Sequence, residues 1–392
     1  MSNSSNRVVG IYQPHFLSIS MTFIYRQLIG VSDEFSPVVL ASRLDNQELF
    51  PYPRVYERRI SALERMYIRV VRKATGRLPN MPLSRRRFWR KVLIRRDVQF
   101  VHSHFGPSGI DILPVVKSLK RPLLVTFHGF DASRLLASQQ YVVQLQRLFE
   151  YAHVIAVSKE MANRLIEVGA PPSRTFVHYI GAPVDDFSFV HRKPLDAKYV
   201  DKDAVVFLQV ANFVEKKGHA YSLEAFRNFS DHYPRCKLIL AGDGPLREQI
   251  ERQSEELGVR NKVEFVGPVS KLQVFALMKN ADVFLHHSVT AGDGDKEGIP
   301  TVLMEAMATG LVVFSTYHSG IPELISDGEN GFLSAERDVA GYTEKLIWSL
   351  THGSDIPEKA ARTVARDFDQ RKQNTTLKEI YRQVLKGSEA VG

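Results

Sequence analysis

The 392-residue chain has one cysteine, Cys236, so no disulfide can form within it. That suits a reducing compartment, where stability comes from buried apolar surface instead. Hydrophobic residues make up 44% of the chain, enough for substantial cores, and the length predicts two domains. Long apolar runs are missing as well: no window reaches the roughly 18 apolar residues of a spanning helix. The start, "MSNSSNRVVGIYQPHF", lacks a charged segment followed by a long apolar one. These absences predict a cytoplasmic chain that is not integral to a membrane. There is no low-complexity tract and no short-period repeat, which sets aside repeat architectures.

Net positive charge is confined to one place. The net charge is +9, yet residues 58–97 carry 14 Lys/Arg against Glu64 and Asp97, or +12, so the rest sums to 9 − 12 = −3. A nucleic-acid binder with a broad basic face would not look like this, and no nucleic acid is expected as a partner. Within the patch, Ile60, Leu63, Tyr67, Val70, Val71 and Ala74 share one helical face, with Arg65, Arg69, Arg72 and Lys73 elsewhere. "SRRRFWRKVLIRR" follows, with Arg85, Arg86, Arg87 and Trp89. Basic amphipathic stretches bearing aromatics suit an anionic membrane surface. The plainer alternative is a solvated face packed on an N-terminal sheet.

What is abundant is a βα rhythm. "RVVGIYQ", "FSPVVLAS", "VQFVHSH", "PLLVTFHG" and "HVIAVS" read as strands in the first half. "AVVFLQVAN", "CKLILAG", "KVEFVG", "DVFLHHS" and "GLVVFST" read as strands in the second. Runs apolar throughout suit parallel strands covered on both faces, and helical patterns lie between them. The fold class expected is α/β: two Rossmann-like, doubly wound parallel-sheet domains facing across a cleft. The break falls near 183–203, giving domains 1–185 and 200–371, followed by a polar helical tail. Ligands of such sheets lie beyond the carboxyl ends of strands, so the informative residues should follow strands directly.

Four stretches do so. In "LQVANFVEKKGHAYSLEAF", Asn212 and Lys217 lie in a strand-to-helix loop that can aim an ammonium and backbone N–H groups at a phosphate. An ordinary βα loop with solvated lysines explains it too. In "LILAGDGPLREQIE", Gly242 and Gly244 permit a tight turn and close approach of backbone to a ligand, although a plain turn accounts for most of this. In "LLVTFHGFDAS", His128 can reach into a cleft and Asp131 can cap a helix or orient the imidazole; His104 in "VHSHFGPSG" is similar. A loop histidine beside a capping aspartate is equally good. No partner cluster has ligand spacing, so no metal site is expected.

The fourth stretch is "DGDKEGIPTVLMEAMATG". Pro300 suits the first turn of a helix, Glu297 lies at its mouth, and Glu305 lies inside an apolar run. A buried carboxylate costs several kcal/mol unless something hydrogen-bonds to it. A ribose would satisfy Glu305, and a helix N-terminus attracts anions, which suggests a nucleoside diphosphate. Glu305 pointing to solvent is the alternative.

Taken in order, "VANFVEKKGHAYSLEAF", "AGDGPLREQI", "EGIPTVLMEAMATG" and "GIPELISDGENGFL" resemble the retaining GT-B glycosyltransferases of the group 1 family, also called family 4. The likeness is to bacterial exopolysaccharide enzymes of the colanic-acid type and covers nearly the whole chain. The resemblance implies that Glu297 and Glu305 are the two acids of an E-x7-E motif, Glu297 at the donor sugar and Glu305 at the nucleotide ribose. It implies that Gly298, Ile299 and Thr301, flanking Pro300, offer N–H groups to the diphosphate and sugar. Lys217 would neutralise the diphosphate and His128 would contact the donor sugar. The helix at about 372–392 would cross back onto the N-terminal domain.

Asn212 stands where the family usually has arginine, so one of two cations is missing; Arg26 or Lys296 are candidates to compensate. Many relatives have a Gly-Gly loop after the first strand. Here Ser18, Ser20 and Thr22 would supply hydroxyl donors instead. The reaction implied is retaining, metal-independent hexosyl transfer from a nucleotide sugar, UDP-linked rather than GDP-linked, with no cofactor. The acceptor would be a glycan or lipid-linked, reached from the inner face of the cytoplasmic membrane. The alternatives are a GDP-mannose-dependent mannosyltransferase, a sugar-nucleotide epimerase or hydrolase on the same fold, or an anionic-surface or nucleic-acid binding module using residues 58–97.

Overall fold

The computed structural model describes residues 7–16, 21–76 and 78–389. The chain divides into two compact units, one of residues up to 180 and from 371 on, the other of residues 181–370.

The first unit has strands β1 (Arg7–Tyr12), β2 (His15–Phe16), β3 (Phe35–Ala41), β4 (Arg43–Leu44), β5 (Val55–Glu57), β6 (Phe100–His104), β7 (Leu123–Phe127), β8 (His153–Ala156) and β9 (Thr175–Val177). Its helices are α1 (Thr22–Gly30), α2 (Ala62–Thr75), α3 (Leu83–Arg95), α4 (Gly106–Ser118), α5 (Gln139–Phe149) and α6 (Lys159–Glu167). Seven strands form one parallel sheet in the order β5-β3-β1-β6-β7-β8-β9, and β2 pairs with β4. The second unit has α7 (Leu195–Asp201), β10 (Val205–Val210), α8 (His219–His232), β11 (Cys236–Ala241), α9 (Arg247–Glu256), β12 (Val263–Gly267), α10 (Lys271–Asn280) and β13 (Val283–Leu285). There follow α11 (Thr301–Thr309), β14 (Val312–Thr316), β15 (Phe332–Ser334), α12 (Val339–Trp348) and α13 (Ile356–Asp367). Its six strands run parallel in the order β12-β11-β10-β13-β14-β15.

Both sheets are doubly wound. Each starts at an inner strand, grows to one side, then returns to grow to the other. The reversal lies between β1 and β6 in one sheet and between β10 and β13 in the other, and such switch points open a crevice at the strand ends. The strand runs read from sequence all appear. Five short strands, β2, β4, β5, β9 and β15, were not anticipated, because two or three residues are too few to set a pattern.

The first sheet is covered on both faces. Trp89, Leu93, Ile112, Val116, Leu145 and Leu165 fill one side. Ile24, Leu28, Phe100, Leu377, Tyr381 and Val384 fill the other, the last three from the closing helix α14 (Gln370–Glu389). Each fully buried large apolar side chain contributes about 1.5–3 kcal/mol, so this tail is structural to the first unit. The second core is built around Phe207, Phe226, Phe229, Leu238 and Leu346.

The irregular stretch 183–203, taken above as a break, belongs wholly to the second unit. Arg192 holds it there, donating to the backbone carbonyls of Val190, Met278, Ala281 and Thr309. Burial pulls its guanidinium down to about 10. The side chain of Phe187 is also buried, so polar and proline-bearing sequence here is anchored, not a free linker.

Candidate functional site

The switch point of the second sheet gathers side chains from three strand ends. From β10, the buried amide of Gln209 donates to the carbonyl of Lys217 at 2.8 Å and shapes the loop into α8. Gly218 closes that loop with φ +61°, and a Cβ there would lie 1.7 Å from the carbonyl oxygen of His287. Only glycine lets the loop after β10 approach the chain leaving β13 so closely. The result is that Lys217 points at Glu297.

Glu297 is 8% exposed and fully engaged. One carboxylate oxygen pairs with the Lys217 ammonium. The other accepts from the Ser288 hydroxyl at 2.7 Å and from Nε2 of His286 at 3.2 Å. Burial alone would push this carboxyl up; the Lys217 ammonium and the His286 donor outweigh it and hold the group well below the usual carboxylate range. Burial conversely lowers His286, which stays a neutral donor. The group is therefore an ionised carboxylate in a dry setting, balanced by the Lys217 ammonium.

Sequence reasoning brought Lys217 and Glu297 forward separately, and the structure brings them into contact. It missed His286, Ser288, His318 and Glu336. Its expected strand 282–288 ends at Leu285, and the side chains of His286 and Ser288, just past it, reach Glu297. The imidazole of His318, wholly buried, accepts the backbone N–H of Glu297 at Nε2, 3.3 Å away, and its Nδ1 lies 2.6 Å from Glu336. The available signal was position: each of these four follows β13, β14 or β15.

The remaining expectations in this unit divide. Asn212 is exposed on the same loop as Lys217. Gly242 and Gly244 are explained by close chain approach, since a Cβ on them would lie 2.0 Å from the Ala211 carbonyl oxygen and 2.7 Å from that of Phe213. Gly298, Ile299 and Pro300 are buried, and Thr301 opens α11. Pro300 is the cap residue of α11 and not its first helical residue. Glu305 departs from the expectation of a buried carboxylate. It is half-buried, on the stripe that Thr301 and Val302 also occupy, while Leu303, Met304, Ala306 and Met307 turn inward. The "DGD" run folds as a loop: Asp295 pairs with Lys216 at 2.9 Å and its N–H donates to Asp293. Among the described residues no cluster of His, Cys, Asp and Glu could hold a metal ion.

The first unit has its own polar site at the ends of β6 and β7. Asp131 is wholly buried and accepts backbone N–H groups of Gly106, His128 and Gly129 at 2.9–3.0 Å. Burial still raises its carboxyl, against those three donors. Nδ1 of His104 and Nε2 of His128 are 3.1 Å apart, so one ring donates and the other accepts. Burial pushes His104 down to about 3, with His178 adding to it, and pushes His128 well below its ordinary range, with His104 and His178 adding to it. Both are neutral imidazoles. His128 also packs on Phe23 and Phe105, at ring separations of 4.8 and 4.6 Å. Thr22 is the first residue of α1, half-buried. Ser18 and Ser20 lie outside the described residues.

The basic segment is two helices with different roles. In α3, Arg85, Trp89 and Leu93 form an inward stripe at i, i+4 and i+8 spacing. Trp89 is wholly buried, edge-on to Tyr12 at 6.0 Å, and Arg85 pairs with Asp111 at 2.9 Å and donates to the Tyr12 hydroxyl. Neither can meet a membrane, which corrects the expectation for both: indole and guanidinium face the core because the helix period puts them there. Arg86 is half-buried on the carbonyl of Met81, and Arg87 is exposed. In α2 the reverse holds. Leu63, Met66, Tyr67 and Val70 are 45–75% exposed, and Arg65, Arg69, Arg72 and Lys73 are exposed beside them. A Ser61–Glu64 capping box starts this helix and Gly76 ends it. No described helix is long and apolar enough to cross a membrane.

Comparison with known proteins gives two family matches: residues 193–366 to the glycosyl transferases group 1, and residues 37–186 to glycosyltransferase family 4. WcaL of Salmonella typhimurium, named for colanic acid biosynthesis, is 33% identical over 291 residues, covering 71% of this chain and 69% of WcaL. The amylovoran biosynthesis glycosyltransferase AmsK of Erwinia amylovora is 31% identical over 288 residues, 72% of this chain and 69% of AmsK. Among solved structures, HepE of Anabaena in complex with UDP superposes with a TM-score of 0.75 at 19% identity, over 96% of this chain and 100% of HepE.

Proposed function

The chain belongs to the group 1, family 4 glycosyltransferases and has their GT-B fold, and we propose that it transfers a hexosyl unit from a UDP-sugar, with retention, to a glycan or lipid-linked acceptor of a cell-surface polysaccharide. The observation that carries this reading is the Lys217–Glu297 pair at the mouth of α11. A leaving diphosphate needs a cation, and the sugar needs an oriented carboxylate. In the structure, the pair satisfies both groups internally. When the donor binds, the Lys217 ammonium swings to the diphosphate, joined by N–H groups at the start of α11. Glu297, still held by Ser288 and His286, then faces the sugar hydroxyls, while Glu305 takes the ribose.

The glycosidic C–O bond to phosphate breaks and a bond to the acceptor oxygen forms on the same face, with the departing phosphate oxygen taking the acceptor proton. Lys217 supplies the positive charge in this scheme, so transfer should persist in EDTA. UDP in the HepE complex and the polysaccharide roles in the names of WcaL and AmsK support donor and pathway class.

A thermal-shift screen of UDP-, GDP- and ADP-sugars tests the donor, because a ligand bound only by the folded state raises the melting point. Stabilisation by UDP-sugars alone is expected. Selective stabilisation by GDP-mannose would replace the UDP assignment. Full donor turnover without acceptor would favour the epimerase or hydrolase.

A further inference from the structure

We propose that Glu336 and His318 are a positioning pair that sets the tautomer of one imidazole so as to fix Glu297 for turnover, without taking part in nucleotide capture. This rests on reading Glu297 as the group facing the donor sugar.

The geometry leaves little freedom. The N–H of Glu297 donates to Nε2 of His318, so that nitrogen carries no proton. The ring proton is on Nδ1, where the Glu336 carboxylate accepts it at 2.6 Å. The other tautomer would set two donors against each other at Nε2 and two acceptors against each other at Nδ1. With the imidazole wholly buried, water cannot relieve either clash.

Glu336 also reaches the far end of the same loop. Its oxygens accept from the backbone N–H of Thr290 at 2.7 Å and from the Thr290 hydroxyl at 3.1 Å. Arg337 donates both to Glu336 and to the carbonyl of Thr290. One carboxylate thus ties residue 290 directly and residue 297 through His318. The loop after β13 is clamped by the loops after β14 and β15. Neither member of the pair touches Lys217 in the structure or stands in α11. Loss of the clamp should therefore shift the Glu297 carboxylate and leave the nucleotide groups in place.

Four variants test this: Glu336→Ala, Glu336→Gln, His318→Leu and His318→Gln. In the wild type, 15N NMR of the imidazole should report the Nδ1–H tautomer, and the Glu297 amide should be protected from exchange. In Glu336→Ala that protection should drop. Turnover of whichever nucleotide sugar the wild type uses should fall about 10- to 100-fold, as expected when a reacting group is displaced by a fraction of an ångström. The affinity for UDP should stay within about twofold, the pattern of a group that acts only on the chemical step. His318→Gln, whose side-chain carbonyl can accept the Glu297 N–H, and Glu336→Gln, which keeps an acceptor for Nδ1, should retain more activity than their partners.

An Nε2–H tautomer in the wild type, unchanged turnover in Glu336→Ala, or parallel loss of turnover and UDP affinity would each overturn the proposal. A wild type inert toward every nucleotide sugar would sink the glycosyl-transfer reading instead. The tautomer and exchange measurements would still decide this one.

Discussion

At the residue scale, the proposed transfer depends above all on one carboxylate. Glu297 is buried, charged and neutralised by a single lysine. Replacing it with glutamine keeps shape and removes charge. Transfer should fall at least about 100-fold while the protein stays folded, since the interaction lost is one realised in the transition state. A near wild-type rate would end the assignment. The pH dependence has a definite sign. A folded-state pKa held below the unfolded value contributes stability at pH above that unfolded value, roughly 4.3, and the contribution is lost as pH falls through the folded value. Removing one partner of a buried pair costs on the order of 3 kcal/mol. Glu297→Gln should thus melt well below wild type at pH 7, and the gap should narrow as the pH is taken below 4. Lys217 was legible in sequence because it carries a charge in a loop following a strand, and Glu297 because it stands at the mouth of an apolar helix. His286, Ser288, His318 and Glu336 were not, because their meaning lies in pairing across segments up to 46 residues apart.

At the element scale, turns decide where those residues meet. The loop after β10 fits against His287 only because position 218 is glycine. Gly258 has a similar φ, +71°, but nothing within 4 Å of a built Cβ. The two form a controlled pair. Gly258→Ala should cost about 1–2 kcal/mol, the strain of a left-handed backbone alone. Gly218→Ala meets a backbone oxygen as well, so its midpoint in urea should fall much further, and UDP affinity should weaken because Lys217 moves with the loop. Equal destabilisation of the two variants would refute the close-approach argument. The strands were legible for the same reason that the loops were not. Apolar runs state their burial directly, whereas the approach of Gly242 to Ala211 is visible only once the sheet has formed. Helix α3 shows the converse error. Its arginines and tryptophan read as a surface by composition, yet the stripe Arg85, Trp89 and Leu93 is what the helix buries.

At the scale of the whole molecule, the exposed cations of residues 58–97 lie on both α2 and α3, and α2 sets its own beside a row of exposed apolar side chains. There the apolar side chains Leu63, Met66, Tyr67 and Val70 lie exposed at i, i+3, i+4 and i+7, beside four cations. Such a face lies comfortably at a lipid headgroup boundary, with apolar residues inserted and cations on anionic phosphates. Each Lys or Arg near an anionic surface contributes about 1 kcal/mol, so Arg65, Arg69, Arg72 and Lys73 supply about 4 kcal/mol at low salt. Added salt shortens the Debye length to about 3 Å at 1 M and removes most of that. Flotation with phosphatidylglycerol vesicles should show the wild type bound at low salt and largely released at high salt. The double variant Arg69→Glu/Arg72→Glu should fail to float under both conditions, since two attractions become repulsions. Leu63→Asp/Val70→Asp should fail as well, which would separate insertion from charge alone. In both variants the UDP-induced thermal shift should be that of the wild type, because UDP is assigned to the other unit. A wild type that ignores anionic vesicles would return α2 to the plainer reading of a solvated helix and leave the lipid-linked acceptor without its support.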